Sequence, residues 1–135
     1  MGESGFEERR HTADWALRVW APDLNGILEH AARGMYSLMT IERDVSPRAV
    51  REVEISAPDR EGVLVNFLSE LLFLLDQEGL VFDTFDLEAS PTHVSARLEA
   101  VPALSIGKEI KAVTYHKLAV VESPQGLEVT LVFDV

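Results

Sequence analysis

Pro58-Asp59-Arg60-Glu61-Gly62-Val63-Leu64-Val65-Asn66-Phe67-Leu68-Ser69-Glu70-Leu71-Leu72-Phe73-Leu74-Leu75-Asp76-Gln77-Glu78-Gly79 is the stretch on which the fold turns. Leu64, Phe67, Leu68, Leu71, Leu72 and Leu75 recur at the three-and-four spacing of one helix face, and Val65 and Leu74 widen that face on both sides. Asp59 stands where a side-chain oxygen caps the free amides of the first turn, and Gly79 where a left-handed residue closes the last. A helix apolar over most of its circumference must be buried over most of it. The polar sector of Asn66, Ser69, Glu70, Asp76 and Gln77 has Phe73 in its middle, and a covering loop is the expected fate of that aromatic, ahead of a partner surface.

Downstream of Gly79 the pattern changes to a period of two. Leu80 and Phe82 alternate in one phase and Phe85, Leu87 and Ala89 in the other, so the strand switches face near Asp83-Thr84 through a bulge or kink. Val94, Ala96 and Leu98 mark a further strand after Ser90-Pro91. Residues 110–121 and 127–135 read as two more, joined by the turn Ser123-Pro124-Gln125-Gly126 as a hairpin.

Upstream, Trp15, Leu17 and Val19 alternate within a strand at 14–20, with Arg18 on the opposite face. After Pro22, Asp23 caps a second amphipathic helix whose stripe runs from Leu24 through Ile27, Leu28, Ala31, Ala32, Met35 and Leu38 to Met39. With Gly26 and Gly34 inside it, either its stability depends on docking or the glycines permit close packing. Ser46-Pro47 opens an extended stretch in which Val53 and Ile55 share a face. Two amphipathic helices packed on a mainly antiparallel sheet make an α+β, two-layer fold.

The 135 residues, 47% of them hydrophobic, suit a single domain over 1–135 with its own core. With no cysteine, neither disulfides nor thiolate metal sites contribute. The amino-terminal residues lack the apolar run of a secretory signal, and no later run is long enough to span a bilayer, so a cytoplasmic protein without membrane contact is expected. Acidic residues outnumber basic ones by 23 to 12, a formal charge of −11. Such a surface repels phosphate backbones, which argues against direct RNA binding and suits a basic partner.

Two segments carry candidate chemistry. His11-Thr12-Ala13-Asp14 enters the strand at 14–20; alone, a histidine and an aspartate so spaced are more often ordinary surface residues. The apolar, periodic ending Leu131-Val132-Phe133-Asp134-Val135 is expected to pair into the sheet and so to fix Asp134 and the α-carboxylate of Val135. Counting outward from Glu122 opposite Leu127 brings Asp134 opposite Tyr115, beside Thr114 and His116, with Lys111 nearby. Clustered carboxylates favour a hard divalent cation, Ca²⁺, Mg²⁺ or Mn²⁺, over Zn²⁺. His30 and His93 have no such context and read as surface or half-buried residues.

The His11–Asp14 motif, the helix around Phe67-Leu68-Ser69-Glu70-Leu71-Leu72, the stretch Ile110-Lys111-Ala112-Val113-Thr114-Tyr115-His116 and the ending Phe133-Asp134-Val135 together resemble the archease family in order and spacing. The likeness covers nearly the whole chain and departs at Phe67-Leu68-Ser69-Glu70, where archeases often carry Trp-Leu-Asn-Glu. It implies a non-catalytic accessory protein that helps an RtcB-type RNA ligase take up guanylate from GTP and turn over repeatedly, in transfer-RNA splicing or RNA repair. RNA is then met only through the ligase. It further implies a divalent cation, usually calcium, held by Asp14, Asp134 and Val135, with Lys111, Thr114, His116 and His11 supporting it or touching the partner. Two rival readings are a small metal-dependent phosphoesterase, for which the chain offers no phosphate cradle or second carboxylate cluster, and a general chaperone or adaptor.

Overall fold

The computed structural model describes residues 3–10 and 15–135. His11 and Asp14 lie outside the described residues. Nine strands and two helices are described, in the order β1 (Gly5–Arg10), β2 (Trp15–Ala21), α1 (Leu24–Met39), β3 (Ile41–Arg43), β4 (Ala49–Ser56), α2 (Arg60–Glu78), β5 (Leu80–Ser90), β6 (His93–Ile106), β7 (Ala112–Thr114), β8 (Val121–Ser123) and β9 (Gly126–Asp134). The α+β architecture is as expected, with the antiparallel strands divided between two sheets. One runs β1-β2-β9-β7, with β8 also on β9; in the other, β6 pairs with β3 and β4 along one edge and β5 along the other.

Both helices begin and end as their sequences dictate. The Asp23 carboxylate accepts from the Gly26 amide at 2.9 Å, and the Asp59 carboxylate from the Gly62 amide at 2.8 Å. Each satisfies one of the orphan amides of a first turn, a contribution of about 1 kcal/mol. Gly79 closes α2 at φ 66°, a conformation that costs a residue with a Cβ but not glycine.

Packing follows the two periodicities. Leu17 and Val19 of β2, with Val129, Leu131 and Phe133 of β9, point into the core, where they meet the buried face of α1. The approach is close at Gly34, where a Cβ would stand 2.6 Å from Leu17 Cδ2 and 2.9 Å from Phe6 Cγ. On its other side α1 meets β5: the Asn25 side chain accepts from the Ala89 amide at 2.9 Å, and the Tyr36 hydroxyl accepts from the Phe82 amide at 3.4 Å. The expected change of face in β5 is a register irregularity between Phe82 and Thr84, so Phe82 turns into the core while Phe85 is only half-buried. On the outer side of the β2–β9 pair, the Arg18 guanidinium donates twice to the Glu128 carboxylate, at 3.0 and 2.9 Å.

α2 is 19 residues long and carries Asn66, Ser69 and Glu70 at mid-length; among the described residues no helix is long and apolar enough to cross a membrane.

Candidate functional site

The site forms where β9 meets its neighbours. β9 pairs with β2 on one edge, Trp15 opposite Phe133, and with β7 on the other, Ala112 opposite Asp134. Residues directly opposite share a face, so Asp134 stands with Ala112, and Thr114 is the next residue along on that face of β7. Its carboxylate is exposed, whereas the side chain of Val135 is half-buried against the core. The backbone here is fixed by the amide of Lys111, which donates to the Asp134 carbonyl at 2.7 Å. Lys111 and His116 are exposed and Thr114 is half-buried; the Thr114 hydroxyl accepts from the His116 amide at 3.3 Å.

The pairing of Asp134 with Tyr115 expected from the hairpin is corrected. Glu122 does face Leu127, but Asp134 faces Ala112. Residues 115–120 leave the sheet between β7 and β8, and the three-residue offset is taken up in that excursion. Its apolar residues anchor a loop instead of continuing a strand: Val120 is buried, Leu118 packs against the core, and Tyr115 is 59% exposed. Two consecutive side chains at the start of α2 replace the missing ladder at Val120. Glu61 accepts from the Val120 amide at 2.7 Å, and Arg60 donates to the Val120 carbonyl at 2.9 Å.

Lys111 and Thr114 thus stand beside Asp134 and Val135 near the end of β9, through a different register, whereas His116 lies two residues beyond the β7–β9 ladder, in the excursion that leads away from Asp134. Among the described residues no group of three histidine, aspartate or glutamate side chains converges on one point. The oxygens of Asp134 still suit a hard cation: the carboxylate faces water, and no hydrogen bond or ion pair to a described residue occupies it. Sequence reading missed three neighbours. Lys108 lies with its ammonium 4.6 Å from the centre of the Trp15 ring, one strand pair from Asp134, and Arg60 and Glu61 hold the loop that follows Thr114. None of these carries a local signal, because each contact depends on a distant segment arriving.

Phe73 also departs from expectation. It is 56% exposed, not covered by a loop, and residues 106–112 pass alongside to leave a groove of about 580 Å³ bordered by Phe73, Lys111 and Ala112.

Residues 6–135 match the archease protein family (MTH1598/TM1083). The protein archease of Thermococcus gammatolerans is 36% identical over 129 residues, covering 90% of this chain and 91% of that one. The solution structure of Methanobacterium thermoautotrophicum protein 1598 superposes with a TM-score of 0.72 at 26% identity, covering 97% of this chain and 99% of that one. The crystal structure of an archease and possible chaperone from Thermotoga maritima gives the same TM-score of 0.72 at 20% identity, with 96% of each chain covered, and so bears on the fold. With the family matched across nearly its whole length and the fold shared with solved relatives, the chain belongs to the archease family.

Proposed function

We propose that this archease is the accessory protein of an RtcB-type RNA ligase in the cytoplasm, promoting the ligase's guanylylation from GTP and its repeated turnover in transfer-RNA splicing or RNA repair, without catalysis of its own. Its cofactor in this reading is a hard divalent cation, Ca²⁺ in the first place and Mg²⁺ or Mn²⁺ as substitutes. Asp14, Asp134 and the carboxyl group of Val135 are the protein ligands, with Lys111, Thr114, His116 and His11 in support. The observation that carries the reading is the pairing of Trp15 with Phe133, the sequence neighbours of the two aspartates, at the sheet end where Lys111 also holds the Asp134 backbone. An all-oxygen donor set from a chain without cysteine suits such an ion, which takes about six to eight oxygens. Three protein groups leave several positions to water or to a partner's oxygen. When bound, the cation supplies a fixed positive charge at an otherwise acidic surface.

Incubation with GTP alone, then with the ligase and RNA ends, decides among the readings. An accessory protein raises ligase guanylylation and turnover and does nothing alone, whereas a phosphoesterase acts alone. The general chaperone or adaptor reading draws on the Thermotoga relative's description and on the exposed apolar side chains Val45, Phe73 and Leu104. It predicts activity in neither assay, together with protection of an unrelated aggregating protein.

A further inference from the structure

Phe73 projects from the solvent-facing sector of α2 between Ser69 and Asp76, and Ile106, itself 44% exposed, stands across from it on the departing end of β6. With Leu72 they form an apolar floor in the groove described above, and Asp76, Glu109 and Lys111 stand at its rim. An aromatic and a branched aliphatic side chain that line one groove while both remain open to water form a patch and not a scatter of single exposed residues.

Acidic side chains outnumber basic ones at the groove, Asp76 and Glu109 against Lys111. Met39, the last residue of α1, and Asp76, in the last turn of α2, both line it, and neither helix has a basic residue in its last turn to offset the partial charge of its terminal carbonyls. Asp76 and Glu109 bring two formal negative charges to the rim against the one positive charge of Lys111, on a chain whose net charge is −11.

We propose that this groove docks a segment of a partner protein that presents one large apolar side chain with a lysine or arginine beside it. The apolar group seats on Phe73 and Ile106, and the cation meets Asp76 and Glu109. A second copy of the chain is the poorer occupant, because a two-fold contact through this face would set one acidic rim against another. The inference rests on the accessory reading and deepens it. Ala112 lines the groove and pairs with Asp134, so an occupant lies against the strand that flanks the candidate cation site.

The test has a ligase-independent arm and a ligase arm. The isotope-labelled full chain is titrated with a pentapeptide of one phenylalanine between two pairs of lysines, and with its glutamate-flanked counterpart. The lysine peptide is expected to shift the amide resonances of Phe73, Ile106 and Lys111 saturably, less so in high salt, and the glutamate peptide to leave them in place. Phe73→Ala, at an exposed position, is expected to keep its melting temperature and to bind the ligase about thirtyfold more weakly, as an aromatic anchor does. Asp76→Lys, with the apolar floor intact, is expected to abolish the peptide shifts. Unshifted groove amides, or wild-type ligase affinity in Phe73→Ala, overturn the docking site while leaving the accessory reading intact. If the wild-type chain fails to stimulate the ligase, the accessory reading falls and the peptide arm alone decides the groove. Sedimentation showing a dimer that Phe73→Ala splits assigns the face to a second copy and overturns the proposal.

Discussion

Gly126 opens β9 with φ 116°, and a Cβ built there would stand 2.6 Å from both the Cα and the carbonyl oxygen of Pro22 and 2.7 Å from the Ala21 carbonyl oxygen. All three obstacles are backbone, so no rotamer change relieves them. Gly79 provides the control, since it too has a positive φ, 66°, but nothing lies within 4 Å of its missing Cβ. Gly79→Ala therefore incurs left-handed strain alone, about 1–2 kcal/mol, offset by about 0.4–1 kcal/mol from the stiffer unfolded chain, for a net loss of about 1 kcal/mol. Gly126→Ala adds to backbone strain of about 1–3 kcal/mol an overpacking cost of about the same size, together about 2–6 kcal/mol, which the same unfolded-chain offset trims to an expected loss of about 2–5 kcal/mol. That is a large share of the ~5–15 kcal/mol that holds an ordinary domain together. Relief requires Pro22 to move, which shifts the entry to α1 and parts Ala21 from Leu127, the last pair of the β2–β9 ladder. Urea melts of both variants and the wild type, compared at a common slope, give the two losses. If Gly126→Ala loses no more stability than Gly79→Ala, the turn has room that this geometry denies, and the reasoning fails.

Glu61→Ala removes the acceptor for the Val120 amide in a partly buried setting; a loss of about 1–3 kcal/mol and faster hydrogen exchange at that amide are expected, and an unchanged exchange rate would show that the loop holds itself. Two hydrogen bonds from Arg48 hold the Asp83 carboxyl below the usual carboxylate range, so the stabilisation is complete above the ordinary carboxylate pKa and is lost as pH falls through the depressed value. Carbon-detected titration should show Arg48→Ala returning Asp83 toward its ordinary pKa, with little change in the melting temperature because both groups face water. Asp134→Asn keeps the shape of an exposed side chain and removes its charge; calorimetry with Ca²⁺ is expected to show at least about tenfold weaker binding and an unaltered cation-free melt, and equal affinity removes Asp134 from the ligand set.

The residues that announce themselves locally were legible. Asp23, Asp59 and Gly79 bound their helices by short-range chemistry, and the reversal of face around Asp83 is written in the phase of Leu80, Phe82, Phe85 and Leu87. β1 was not, because Gly5–Arg10 is an edge strand with Phe6 as its one large apolar residue, and an edge strand needs no alternation to satisfy. The excursion at 115–120 was hidden for the opposite reason: Leu118 and Val120 have the apolar character of strand residues, and only the arrival of Arg60 and Glu61 from α2 makes them loop anchors. The nearness of Lys111 and Thr114 to Asp134 was therefore foreseen through a register three residues out, and the departure of His116 from it was not. Exposure of Phe73 depends on how closely 106–112 passes α2, a distance no helical wheel contains.

The bond between Arg18 and Glu128 joins residues 110 apart in sequence. On the ribosome β2 is made early, and α1 follows at once to cover its apolar face, but the edge that β9 will occupy waits for more than a hundred further residues. At roughly 5–20 residues per second that is an interval of several seconds or more, during which Leu17 and Val19 sit on a strand with an open hydrogen-bonding edge. Such an edge is a template for any other extended chain. Newly made copies of this protein are thus vulnerable to one another until β9 has been made, and crowded translation of one message would expose that weakness first.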